Sequence, residues 1–427
     1  MTTSKLILNN EKDTITIKLI KQTVLNILRN AVYTALGRVL LGLLKVIGRH
    51  GLRVKLSELL WQELSSLGPL KWSAVAAGFS SFRLVRHIIL LLLPAASLFR
   101  ELSYLPAAFL CAIPAALMDK TTRTELCLCV CTRAFYTLVV GHILPLFPSL
   151  FRKFGHYDIV TLCLSSSQIL YGFIFAPHTI PPSFRKFLSD VSLLDYRVVH
   201  GFSGLARCQI APELVELCFE KGYALPDSPC EHLKVGCRYI HPGSTCNKHL
   251  LKSLLRCMLL VGFPLTVPLK VIFTLIFHMK KLKREPTEVL RNLLKSTLSS
   301  CLFLAIYSVY GTRCACFIAQ RNIRSGLFYA AVNFPVGFGA LIEPKSRRID
   351  LAHYCFSYAV RSFFMTQHEL GRLPYPRHCI IFTLYLLSIA FLYFQYDHDP
   401  NAIEPRTRRI LNNCIGESKG VAQGNAR

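Results

Sequence analysis

Apolar runs without a formal charge recur along the chain, at 87–99, 102–118, 134–151, 159–184, 257–269, 296–312, 325–342 and 378–396. Basic or proline-containing turns separate them, a pattern that predicts helices lying in hydrocarbon. Several runs fall short of the roughly 20 residues that span a bilayer core, and Arg83, Arg86 and His87 interrupt one otherwise apolar stretch. Short helices tilt less, snorkel their basic ends or sit in thinned bilayer, so about eight to ten segments are expected, some of them interfacial or re-entrant.

The pattern occurs twice. Residues 107–139, with Asp119-Lys120-Thr121-Thr122-Arg123-Thr124-Glu125, align with 331–364, with Glu343-Pro344-Lys345-Ser346-Arg347-Arg348-Ile349-Asp350, once Pro344 is counted as an insertion. His156, Pro177 and Pro182-Ser183-Phe184 then align with His378, Pro400 and Pro405-Arg406-Thr407. A period this long indicates duplication of a helical bundle rather than a solenoid. The expected architecture is all-α and polytopic, an internally duplicated helical bundle with short transmembrane helices. Its parts are a basic amphipathic segment (1–56), a first bundle repeat (57–190), a Cys/His connector (191–256), a second repeat (257–412) and a polar tail (413–427).

Composition agrees with a membrane environment: 52% of residues are hydrophobic and 17% charged, far too little charge for a soluble chain of this length. The formal net charge of +26 lies at the ends of apolar runs, as at Arg152-Lys153, Lys280-Lys281 and Arg408-Arg409. That placement fixes topology and meets anionic head groups, so membrane lipids are expected partners and nucleic acid is not. Residues 14–57 are basic and free of acids, with Lys18, Lys21, Arg29 and Arg38 on an aliphatic scaffold. They suit a membrane-surface helix, with or without a targeting role. Residues 1–30 do not read as a secretory signal.

Most of the seventeen cysteines accompany apolar segments, where cysteine acts as a small hydrophobe. The connector differs: Cys230, His232, Cys237, His241, Cys246 and His249 crowd one polar stretch. Four of them, Cys230, Cys237, His241 and Cys246, make a candidate structural zinc site. A local disulfide and a loop of reduced cysteines are the alternatives, because the spacing is not that of paired CxxC knuckles. No other cofactor is indicated.

Two charged hairpins, Asp119, Arg123 and Glu125 in the first copy and Glu343, Lys345, Arg347, Arg348 and Asp350 in the second, fall where two helices turn. Pairing across the turn would spare these groups the cost of standing unpaired near hydrocarbon. Docking of a lipid head group or a partner is the competing role. His142 lies alone in an apolar run, its counterpart region reading Thr366-Gln367-His368-Glu369, and no nucleotide, hydrolase or zincin fingerprint occurs. A non-enzymatic protein is expected.

Cys237-x3-His241-Pro242 with Cys246, followed by a helical region and Ala340-Leu341-Ile342-Glu343-Pro344-Lys345-Ser346-Arg347-Arg348, resembles the transmembrane protein 135 family over about 230–411. The repeat extends the likeness to 56–188, although the family members considered open on their cysteine-rich element. The family is similar in turn to mitochondrial inner-membrane translocase subunits and small peroxisomal membrane proteins. The resemblance implies a multi-pass protein of peroxisomal or mitochondrial membranes that influences fission, organelle shape and lipid metabolism or storage. It also implies organelle-division or peroxisomal import factors as partners; a second copy of the chain is a further candidate. The alternatives are a lipid, sterol or small-molecule transporter or channel between the repeats, motivated by Arg83, Arg86 and Arg133, and a lipid-modifying enzyme centred on His142.

Overall fold

The computed structural model describes residues 16–37, 67–92, 97–147, 156–228, 233–277, 279–375 and 377–416, and every regular element among them is helical. Among the described residues seven helices are long and apolar enough to cross a membrane, which makes this an all-α multi-pass membrane protein. Seven of the eight apolar runs overlap these helices: that at 87–99 begins in the end of Leu67–Leu92, and that at 257–269 lies inside Cys246–Ile272. The run at 325–342 breaks into two short pieces, because Pro335 removes a backbone donor and Gly337 and Gly339 weaken helix propensity.

The helices used below are α1 (16–37), α2 (Leu67–Leu92), α3 (Tyr104–Ala112) with its 3-10 extension Ile113–Leu117, α4 (Lys120–Leu138), α5 (Tyr157–Phe175) and α6 (Pro182–Ser192). Connector helices follow: α7 (Tyr196–Ala206), α8 (Pro212–Lys221), α9 (Val235–Ile240), α10 (Cys246–Arg256) and α11 (Phe263–Phe277). The second copy supplies α12 (Pro286–Gln320), α13 (Gly326–Asn333) with its 3-10 extension Phe334–Ile342, α14 (Lys345–Glu369), α15 (His378–His398) and α16 (Pro405–Ile415). Element for element, α2 to α6 match α12 to α16, and both α6 and α16 open on proline. Side-chain caps set the starts of α4 and α16: Asp119 accepts from the Thr122 amide at 3.0 Å, and Glu404 accepts from the amides of Arg406 and Thr407.

Packing does not follow the order of the repeats. One compact unit takes its residues from Met1–Lys153 and Arg377–Arg427, the other from Phe154–Pro376. In the first, α2, α3 and α4 of copy one are closed by α15 and α16 of copy two, with Phe82 and Tyr393 stacked at 3.8 Å in the core. In the second, α12, α13 and α14 of copy two are closed by α5 and α6 of copy one, and Phe184 stacks on Tyr358 at 4.1 Å. The copies have exchanged their last two helices. A cross-linking experiment reads this directly: Phe184→Cys with Tyr358→Cys in the full chain should be joined by a short thiol cross-linker. Failure of that pair to link would mean that α6 does not close on α14.

Within the second unit α5 and α14 run in the same direction, since Asp158 meets Arg348 near their starts and Gln168 donates to Ser362 further along. Their close approach depends on small residues: a Cβ on Gly172 would stand 2.5 Å from the Ser362 hydroxyl oxygen. The 3-10 extension of α13 approaches α5 as closely, a Cβ on Gly337 standing 2.6 Å from the Cys163 backbone nitrogen.

Helix α1 turns its polar stripe inward. Thr23, Asn26 and Asn30 are buried, and Asn30 donates to the Ser80 hydroxyl at 2.8 Å and to the Asn413 carbonyl at 2.9 Å. Ile17, Leu25, Tyr33 and Leu36 face outward, each more than half exposed. This hydrocarbon-facing side suits a helix in contact with lipid. Lys18 and Lys21 are exposed, as expected of surface contacts, whereas Arg29 donates to Asn26 and to the Asn413 carbonyl at the end of α16. Arg29 is therefore committed to the fold, and Arg38 lies outside the described residues.

Candidate metal centre

The connector builds its site from a helix end, a turn and a helix start. Gly236 of α9 lies against Phe202, and the Tyr239 hydroxyl donates to the Ala224 carbonyl at 2.8 Å, which seats the helix with Cys237 buried. The helix ends at His241, after which Gly243, at φ +68°, permits a tight reversal that few side chains tolerate. Thr245 then caps α10, so Cys246 starts that helix beside His241. The fourth group, Cys316, comes from α12, one turn before its end at Gln320.

The ligand atoms of Cys237, His241, Cys246 and Cys316 all lie within 4.8 Å of one another, and this cluster can hold a metal ion. Four tetrahedral ligands about 2.3 Å from an ion stand roughly 3.8 Å apart, so modest contraction would close the shell. Imidazole Nε2 of His241 is 3.2 Å from Cys246 Sγ and 3.5 Å from Cys316 Sγ. Its Nδ1 stands 2.9 Å from the Ser244 carbonyl oxygen, to which it donates, leaving the Nε2 lone pair aimed at the sulfurs. Gln320 donates its amide to Cys246 Sγ at 3.1 Å. The Cys237 thiol is pulled down to about 6, chiefly by hydrogen bonding with Cys316, while His241 and Cys246 act in the same direction against desolvation. Three buried residues and one half-buried residue thus offer the soft, deprotonable donors that zinc takes.

Three of the four candidates named from sequence meet here, and Cys230 lies outside the described residues. Sequence reasoning missed Cys316 because it sits in an apolar helix, where cysteine reads as packing. Cys314 is the evident decoy, its sulfur bonding instead to the Val332 carbonyl at 3.5 Å. The cysteines described are free thiols.

The hairpins divide. In the first, Asp119 is spent on its cap, and Arg123 donates to the Ala116 carbonyl at 3.5 Å. In the second, Arg347 bonds the buried Glu343 at 2.8 Å, as a turn-spanning pair should, while Arg348 reaches Asp158 of α5 at 3.0 Å. Helix α5 packs beside α14 and offers a buried carboxylate there. Lys345 is exposed.

Arginines inside the apolar stretches are also paired. Arg83 and Arg86 share Asp397, each at 3.3 Å, and the Tyr104 hydroxyl donates to the same carboxylate. Arg133 donates to the Thr407 hydroxyl at 2.9 Å and stands 3.9 Å from Glu404. His142 lies in a π-bulge, Val139–Ile143, and its Nε2 has no hydrogen-bond partner among the described residues. No protein-family model, curated protein or solved structure matches the chain.

Proposed function

We propose that this chain is a non-enzymatic, multi-pass protein of an organelle membrane, and that a structural zinc ion ties its connector to α12. The closed donor set carries the reading: with three thiols and one imidazole converging, a tetrahedral ion is saturated by protein. A catalytic zinc site keeps a position for water or substrate. The chemistry zinc supplies here is cohesion, since it neutralises adjacent thiolates and fixes α9 and α10 to α12.

The resemblance to the transmembrane protein 135 family gives the biological setting, a peroxisomal or mitochondrial membrane and a role in organelle shape, fission and lipid storage. Its two motifs coincide with the metal-competent cluster and the Glu343–Arg347 hairpin, the most elaborated polar features of the second unit. Arg83, Arg86 and Arg133 each have a carboxylate partner, which favours a structural role for them over a conducting path. The test is localisation of the endogenous protein against mitochondrial and peroxisomal markers, with organelle morphology scored after its depletion. Coincidence with either marker and altered organelle number or length is expected. Residence elsewhere would overturn the setting, and substrate flux in sealed proteoliposomes would replace it with a transporter.

A further inference from the structure

Duplication supplies an internal control: what both copies share belongs to the fold, and what one copy adds asks for another explanation. At the first hairpin the carboxylate of Asp119 caps α4 and the position matching Arg347 is Thr122. At the second, Pro344 is the residue before α14, and Glu343 is buried against Arg347. A second cation is added from another element. Lys270 of α11 places Nζ 2.9 Å from the hydroxyls of both Ser296 and Ser300 on α12, and also bonds the Ser296 carbonyl. Arg347 reaches the same two hydroxyls, at 2.6 Å to Ser300 and 3.1 Å to Ser296.

The charges at this cluster do not balance. The titratable groups around Lys270 are Arg347, Glu343 and Cys301, so among the described residues two basic groups face one carboxylate. Elsewhere Asp158 meets Arg348 and Glu404 meets Arg133 one to one, and the shared Asp397 touches both Arg83 and Arg86, whereas Glu343 bonds Arg347 and not Lys270. An uncompensated charge beside hydrocarbon is costly, and the cost is met by pairing or by water. This place is partly open, Arg347 being 35% exposed, and it adjoins a span, Cys246–Ile272, that is 11% buried and so offers most of its surface to lipid.

We propose that Lys270 and Arg347, held by Ser296 and Ser300, bind a phosphate-type monoanion at the second hairpin. A phospholipid head group and inorganic phosphate carry the same recognisable chemistry. The guanidinium supplies a planar fork for two oxygens, and the ammonium supplies a point charge on the other side. Glu343 keeps the arginine oriented without cancelling both cations.

The test compares the unfolding midpoint of the full-length protein in nanodiscs of phosphatidylcholine, in nanodiscs containing phosphatidylglycerol, and in phosphatidylcholine with added inorganic phosphate. The parent should unfold several degrees higher with the anionic lipid, with phosphate, or with both, and which arm responds identifies the source. Lys270→Gln and Arg347→Gln should lose that increment, whereas Lys270→Arg and the exposed Lys345→Gln should keep it. Ser300→Asp provides an internal counter-ion and guards against variants that fail to fold. It should raise the midpoint in phosphatidylcholine alone and abolish the response to either anion. No response in the parent, or an undiminished response in Lys270→Gln or Ser300→Asp, overturns the proposal.

Discussion

Purified full-length Cys316→Ser protein should carry less than about a tenth of a zinc ion per chain, where the parent carries about one. The serine hydroxyl is a poor ligand, and three remaining donors leave the ion open to water and chelator. Structural zinc sites hold their metal with roughly 10–16 kcal/mol in small zinc-finger peptides, so even partial loss of that affinity should loosen α9 and α10. Limited proteolysis should then cut first between 233 and 249, a stretch that zinc should protect in the parent. Cys314→Ser is the matched control, two residues away on the same helix and bonded to a carbonyl instead. Metal analysis decides the matter: a parent free of zinc after metal-replete expression, or equal zinc in the two variants, would sink the centre.

Arg348→Ala should destabilise the protein more than any other single change at the hairpins. The Asp158 and Arg348 side chains are 1% and 10% exposed, and their contact is 3.0 Å. Removing one partner strands the other charge in a site water reaches poorly, a loss of about 3–5 kcal/mol. Steady-state abundance and the unfolding midpoint in detergent should both fall sharply. Asp158→Asn with Arg348→Gln removes both charges and should recover much of the loss. Arg347→Ala should cost less, because Lys270 stands in the same cluster as Glu343, and Arg123→Ala should cost little. If Arg348→Ala and Arg123→Ala are equally mild, the buried pair contributes little to stability.

Sequence reading reached the helical membrane class and the repeat because both are written in local pattern. Apolar runs and proline-started helices need no knowledge of what lies across from them. It reached three of the four metal-competent residues because Cys237, His241 and Cys246 fall within ten residues of one another. Cys316 stayed hidden in an apolar helix. Partners of the intramembrane arginines stayed hidden for a related reason: Asp397 and Glu404 are remote in sequence from Arg83, Arg86 and Arg133, as Asp158 is from Arg348. The inward polar stripe of α1 was also illegible, since a basic amphipathic helix reads alike whether its apolar side meets protein or lipid. Nor can similarity between copies say which copy closes which, because a docking face built from one repeat suits the last two helices of either.

The exchange of helices places a burden on biosynthesis. When α4 enters the membrane, roughly 240 residues remain before α15 begins, and at about 5–20 residues per second that is on the order of 10–50 s. During this wait Arg83, Arg86 and Arg133 stand in or beside hydrocarbon without the acids that later neutralise them. An insertase, a membrane chaperone or deep water penetration has to shelter the nascent first unit. Premature termination accordingly acts backwards along the gene: a chain stopped near Pro376 retains the sequence of the second unit intact, yet it is the helices made first that are left incomplete and exposed to degradation.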